Sequence, residues 1–294
     1  MGTMANLVTA GLDGSRESVA AARWAAHEAD LRGVPLALVH VEEWLERPPL
    51  AVATTEVQRQ WAQALLREAS EEIKGLYPEL EITARRLSGI PATALAHAAG
   101  SSDMLVLGSR GLGAIAGFIL GSIGAGTIGA TDQPVVLVRA PHDGATPAEG
   151  PGTDGPIVTG VDIGRPCDAL LSFAFDEAAR RGCALRVLHS WAPPPVVGYG
   201  PGLDPGVQEE IGRGIATAVD EMIRPWCEKY PSVPVAPEVF IGQSAIQLVD
   251  ASKGAALVVV GRRIRRSAYG THIGAVAHAV LHHAAAPVAV VAHE

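Results

Sequence analysis

Cysteine is scarce in these 294 residues: Cys167, Cys183 and Cys227 all fall in the second half, without metal-ligand spacing. An odd, sparse set fits reduced thiols in a cytoplasmic protein better than a disulfide framework. Uninterrupted apolar runs of membrane-spanning length are missing as well. No basic stretch followed by a signal-length apolar segment is present, since Met1–Asn6 lead straight into a strand-like run. Basic residues are outnumbered, 23 Lys and Arg against 31 Asp and Glu. The resulting net charge of -8 argues against a general affinity for nucleic acid, whose phosphates attract a basic footprint. Nothing resembles a Ser/His/Asp set or a nucleophilic Cys with a His partner. The expectation is a soluble, cytoplasmic protein that neither enters membranes nor binds nucleic acid.

What is present is a repeat. LVTAGLDGS (Leu7–Ser15) returns as IVTGVDIG (Ile157–Gly164). At an offset of 149, Gly11 matches Gly160, Asp13 matches Asp162, Glu28 matches Glu177 and His40 matches His189. Later the offset becomes 153: Gly89 matches Gly242, Gly108 matches Gly261, Gly121 matches Gly274 and Pro134 matches Pro287. The difference, 153 − 149 = 4 residues, is a short insertion best placed in the Pro/Gly-rich stretch Pro193–Pro205. The Pro/Gly/Thr run from Ala140 to Pro156 reads as a linker. Two domains follow, 1–141 and 156–294, joined by a linker over 142–155.

Each copy alternates strand-like and helix-like runs. In the first, strands are predicted over Leu7–Leu12, Pro35–Val41, Leu80–Leu87, Met104–Leu107 and Val135–Val138. Helices are predicted over Ser15–Arg32, Val57–Leu76 and Pro91–Ala99, with a fourth opening at Gly121. Apolar strands alternating with helices indicate an α/β fold with a parallel sheet covered on both faces. Ligands on such a sheet bind at the carboxyl ends of the strands, where strand order reverses. That places a site after Leu12, Val41 and Leu107.

After the fourth strand the first copy reads Gly108-x2-Gly111-x9-Gly121-Ser122, with Arg110 inside the first interval. Glycines let a backbone approach a polyphosphate closely. Gly121 and Ser122 stand where a helix begins, so unpaired N–H groups and the positive dipole end face an anion. The Ser122 hydroxyl adds a donor to phosphate or a ligand to bound Mg²⁺. Glycines near a helix start also serve simple turns. The pattern is not the P-loop, since no Lys follows the last Gly, nor the dinucleotide fingerprint, which follows a first strand.

This spacing, together with Asp13 in LDGS and the GIPA segment at Gly89–Ala92, resembles the ATP-binding signature of the universal stress proteins. The resemblance covers nearly the whole chain in the tandem two-domain form. It implies two tandem doubly wound domains, each a five-stranded parallel sheet flanked by helices, of the adenine nucleotide α-hydrolase-like kind. It also implies ATP, with Mg, at the strand ends, and homodimer-like or intramolecular pairing through the last strands. Carried over, Asp13 would contact adenine or ribose and Val41 would line the adenine pocket. Gly108, Gly111, Gly121 and Ser122 would hold ribose and phosphates, and Arg110 could meet developing charge. Asp13 has a second reading, as the N-cap of the first helix.

The second copy departs from the pattern. Gly261 and Gly274 keep their places and Asp162 recurs, but Ile264 replaces Gly111 and Ala275 replaces Ser122. A β-branched residue disfavours positive φ and fills space a phosphate needs, so triphosphate binding should weaken while nucleoside binding through Asp162 stays open. Arg262, Arg263, Arg265 and Arg266 read as a solvated charge run or as a different anion site. His278, His282 and His283 read as helix surface rather than a metal site, which needs more ligands. His40 and His189 read as satisfied histidines ending the second strands, and Trp24 and Phe173 as matched core residues. Three functions remain open: an ATP-binding regulatory protein, a slow ATPase, and a nucleotide-free interaction scaffold.

Overall fold

A computed structural model describes residues 6–43, 52–109, 121–140, 155–192, 205–264 and 273–294. The chain divides into two units. The first runs β1 (Val8–Gly11), α1 (Arg16–Arg32), β2 (Leu36–Glu43), α2 (Val52–Leu76), β3 (Ile82–Gly89), α3 (Pro91–Ala99), β4 (Met104–Gly108), α4 (Ser122–Ala130) and β5 (Val135–Val138). The second repeats the order with β6 (Ile157–Gly160), α5 (Asp168–Arg181), β7 (Leu185–Trp191), α6 (Pro205–Lys229), β8 (Val235–Ile241), α7 (Ser244–Ala251), β9 (Leu257–Arg263), α8 (Ala275–His283) and β10 (Val288–His293). Within the first unit the strands lie β3-β2-β1-β4-β5, within the second β8-β7-β6-β9-β10. Every pairing described inside each unit is parallel. This is the doubly wound α/β fold.

The central strands read as continuous apolar runs because both sheet faces are covered. In the first unit α1 packs on β1, β4 and β5 with α2 beside it, while α3 packs near β1, β2, β3 and β4 with α4 against it. Alanine lets α1 sit close to the sheet: Ala21, Ala22, Ala25, Ala26 and Ala29 are buried, with Trp24 as the one large side chain among them. Its C-terminus closes at Gly33, whose left-handed φ of 63° lets its N–H reach the carbonyls of Ala29 and Asp30. Gly182 closes α5 with φ 61° in the same way.

The repeat extends to polar ties. Glu28 pairs with Arg32 on α1 and Glu177 with Arg181 on α5, with both carboxylates fully buried. Tyr77 after α2 meets His27 on α1 at 3.3 Å, and Tyr230 after α6 donates to Asp176 on α5 at 2.6 Å. The aromatic match differs from the expectation. Phe173 is half-buried, and Phe175 fills the core of the second unit, stacked with Trp226 at 6.2 Å. The second strands also run further than predicted, β2 to Glu43 and β7 to Trp191, so His40 and His189 lie inside them. No described helix is long and apolar enough to cross a membrane.

Candidate functional site

In the first unit, the chain leaves β1 toward β2, while β4 lies on the other side of β1. Backbones leaving these strands diverge and open a crevice. Here lies a cleft of about 360 Å³, within the range of roughly 300–1,000 Å³ that holds small ligands. Leu12, Val39, Val41, Leu95, Leu107 and Leu137 make it mostly apolar, with Pro91 and Ile123 from the starts of α3 and α4. Its polar side chains are Asp13, Ser18, His40, Glu43, Ser109 and Ser122. Asp13, Val41, Gly108, Gly121 and Ser122, singled out from the sequence, all meet in this cleft. Arg110 and Gly111 lie outside the described residues.

Asp13 is not the helix cap. Ser15 is the N-cap of α1, its hydroxyl accepting from the Ser18 N–H at 3.2 Å. Asp13 braces that cap, accepting from the Ser15 N–H at 2.9 Å and from the Ser15 hydroxyl. Its carboxylate is exposed at the cleft. His40 turns Nδ1 to the Leu12 carbonyl at 2.7 Å, and His189 does the same to Val161 at 2.9 Å. A carbonyl only accepts, so Nδ1 carries the proton in both. These imidazoles tie neighbouring strand ends together.

The two glycines of the loop differ in kind. A Cβ on Gly108 would stand 2.5 Å from the Glu17 carbonyl carbon and the Ser18 nitrogen, so this glycine is required by the close approach of α1. That is a packing reason, distinct from the anion contact read in the sequence. At Gly121 an added Cβ would meet nothing within 4 Å. Gly121 is the N-cap of α4, and no side chain caps the helix there. The first-turn N–H groups have no partner inside the helix and point out of its start.

Ser109 was missed from sequence because it read as a spacer between Gly108 and Gly111. Its N–H donates to the Val138 carbonyl at 2.7 Å, fixing the residue at the end of β4. The side chain lines the cleft and is only 6% exposed, yet its hydroxyl has no hydrogen-bond partner among the described residues. A buried unsatisfied hydroxyl is unfavourable by about 1–3 kcal/mol. Such groups are rare in folded proteins and call for an explanation.

The second unit is rebuilt at the matching place. Asp162 accepts from the Gly164 N–H at 3.1 Å and pairs with Arg165 at 3.1 Å. Pro166 stands where Glu17 stood, and α5 starts at Asp168, matching 168 − 149 = 19, three residues later than Arg16 of α1. With that turn gone, the His293 ring lies over Gly261, where a Cβ would fall 2.6 Å from its Nε2. Strand β9 runs on to Arg263, in register with His293, whereas β4 stops at Gly108. Arg262 takes the place of Ser109 and is buried. Gly274 alone keeps its form: it caps α8 with φ -59° and ψ 153°, against -59° and 151° at Gly121, and an added Cβ there meets nothing within 4 Å. Arg265 and Arg266 lie outside the described residues.

Burial first, then Asp168 and Asp162, push the Cys167 thiol up to about 11, which keeps it protonated and unreactive near neutrality. His278 and His282 lie tilted against each other on α8 with ring centroids 4.2 Å apart. Partial burial and then the neighbouring His282 hold the His278 imidazole below its ordinary value. Among the described residues, no group of three or more His, Cys, Asp or Glu is placed to hold a metal ion.

A family model described as "Universal stress protein family" matches residues 4–139 and again 155–292. A universal stress protein of Mycobacterium tuberculosis is 34% identical over 292 residues, covering 96% of each chain. One from Mycolicibacterium smegmatis is 34% identical over 302 residues, covering 97% of this chain and 96% of the relative. Among solved structures, a universal stress protein from Archaeoglobus fulgidus superimposes with a TM-score of 0.73 at 17% identity, covering 99% of this chain and 100% of that one; at that identity the likeness speaks for the fold. With the repeated fold and a model match in each half, the chain belongs to the universal stress protein family, in tandem form.

Proposed function

We propose that the first unit binds ATP, with Mg²⁺, in the cleft between α3, α4 and the ends of β1, β2 and β4, and that the protein acts as a nucleotide-dependent regulatory protein of the cytoplasm. The observation that carries this is the unsatisfied Ser109 hydroxyl in the same cleft as the uncapped start of α4. A phosphate there would satisfy both at once, since helix starts attract anions and a hydroxyl can donate to an oxyanion. The apolar walls suit a base, and Asp13 faces the cleft as a partner for a ribose hydroxyl. Ser122, on the first turn of α4, would contact phosphate or the metal.

The same proposal takes 1–141 and 156–294 as the two domains, with 142–155 as linker. Val135–Val138 and Val288–Val291, from the outer strand of each five, are the proposed pairing surfaces between halves or copies.

Heat-denaturing the purified protein and passing the supernatant over an anion-exchange column tests the reading. Adenine nucleotide should elute in substoichiometric or equal amount to protein. A protein that carries none and also ignores added Mg-ATP would leave only the interaction scaffold. Ser109→Ala gives a second test with two signs. Losing one hydrogen bond to a charged group should lower ATP affinity by about 1.5–3 kcal/mol. The nucleotide-free protein should meanwhile gain up to about 1 kcal/mol of stability, because a buried unsatisfied hydroxyl is removed. Calorimetric titration and thermal denaturation read the two effects separately, and a loss of stability without a loss of affinity would contradict the assignment.

A further inference from the structure

The cleft has two chemically opposite ends. One is the uncapped start of α4 with Ser109. At the other, the last residue of β2, Glu43, lines the cleft two positions beyond Val41 and on the same strand face. Strands β2 and β4 flank β1, so Glu43 and Ser109 stand at least two strand spacings, about 10 Å, apart. Glu42, on the opposite face, is held by Arg86 at 2.8 Å. Glu43 has no ion pair or side-chain hydrogen bond among the described residues. Its backbone is fixed by pairing in register with Gly89, two residues before Pro91 on the facing wall.

We infer that Glu43 reads the base, accepting a hydrogen bond from the exocyclic amino group of adenine. The inference rests on the nucleotide reading of this cleft. With phosphates at α4, the base must lie toward β2, between Val41 and the apolar start of α3. A carboxylate offers acceptors only, so it favours a base edge that presents N–H groups and disfavours one that presents only lone pairs. The second unit has Ala192 at the matching position, 43 + 149 = 192, and lacks this acceptor.

The test compares ATP with purine riboside triphosphate, which lacks only the amino group, on the full-length protein by calorimetric titration. The wild-type protein should prefer ATP on the order of fivefold to tenfold, the scale of one hydrogen bond to a charged acceptor at a partly solvated rim. Glu43→Met should bind the two ligands equally. Glu43→Gln, whose amide oxygen still accepts, should restore part of the preference. Removing the negative charge or disturbing the fold would shift both affinities together and leave the ratio unchanged. An equal preference for ATP in wild type and Glu43→Met overturns the inference while leaving the nucleotide site standing. Failure of the wild-type protein to bind either ligand would instead overturn the reading of the cleft itself.

Discussion

Replacing Gly108 with alanine is expected to destabilise the first unit by about 1–3 kcal/mol or more, the range for forcing extra volume into a packed interior. The new Cβ would lie 2.5 Å from two backbone atoms of α1, and backbone yields far less readily than the end of a side chain. Ser15, Ser18 and Asp13 form one hydrogen-bonded cap on that turn, so moving it also disturbs the cleft wall. Melting of the first unit should fall by several degrees, on the order of 5–10 °C. Gly121→Ala is the contrasting variant. Its Cβ enters open space and its φ of -59° suits any residue, so the stability change should stay within about 1 kcal/mol. Nucleotide affinity should nevertheless fall, because the methyl group enters the approach to the α4 start. Differential scanning calorimetry of both variants checks this, and equal melting temperatures would contradict the assigned packing role of Gly108.

Glu177→Ala should be the most damaging single change in the second unit. Its carboxylate is fully buried and pairs with Arg181, itself 5% exposed. Removing the carboxylate takes this ion pair from a buried guanidinium, which is unfavourable by about 3–5 kcal/mol. Glu28→Ala should do the same to the first unit, where Arg32 is slightly more open at 11% exposure. A double replacement, Glu177→Leu with Arg181→Met, should recover most of the loss, since apolar residues of similar volume can stand in for a buried pair. Chemical denaturation monitored by circular dichroism measures all three. If Glu177→Ala alone loses less than about 1 kcal/mol, the ion pair does not tie α5 into the core.

Much of this was legible in the sequence because the repeat supplied each element twice. The matched glycines and apolar runs placed strands to within one or two residues, as at β3 and β4. The helical spacing also ended α1 at Arg32, where the helix stops. What escaped was decided by contacts between distant residues. Gly108 and Gly261 look equivalent in a repeat alignment, yet one is glycine under the turn of α1 and the other lies under His293. Pro166 and His293 lie far apart in sequence, and only folding shows that the shortened α5 and the imidazole occupy related space. Ser109 could not be singled out because burial without a partner is a property of three-dimensional surroundings. Phe173 shows the converse: a matched position is not a matched environment, and Phe175 two residues along fills the core.

The proposed nucleotide cleft lies in the first repeat, and the second is rebuilt at the matching place. Calorimetric titration of the intact protein with Mg-ATP measures that directly through the number of sites per chain. The account predicts one site, weakened at least tenfold by Ser109→Ala, as expected from losing a hydrogen bond to a charged group. Two equivalent sites per chain, or one site indifferent to Ser109→Ala, would contradict it.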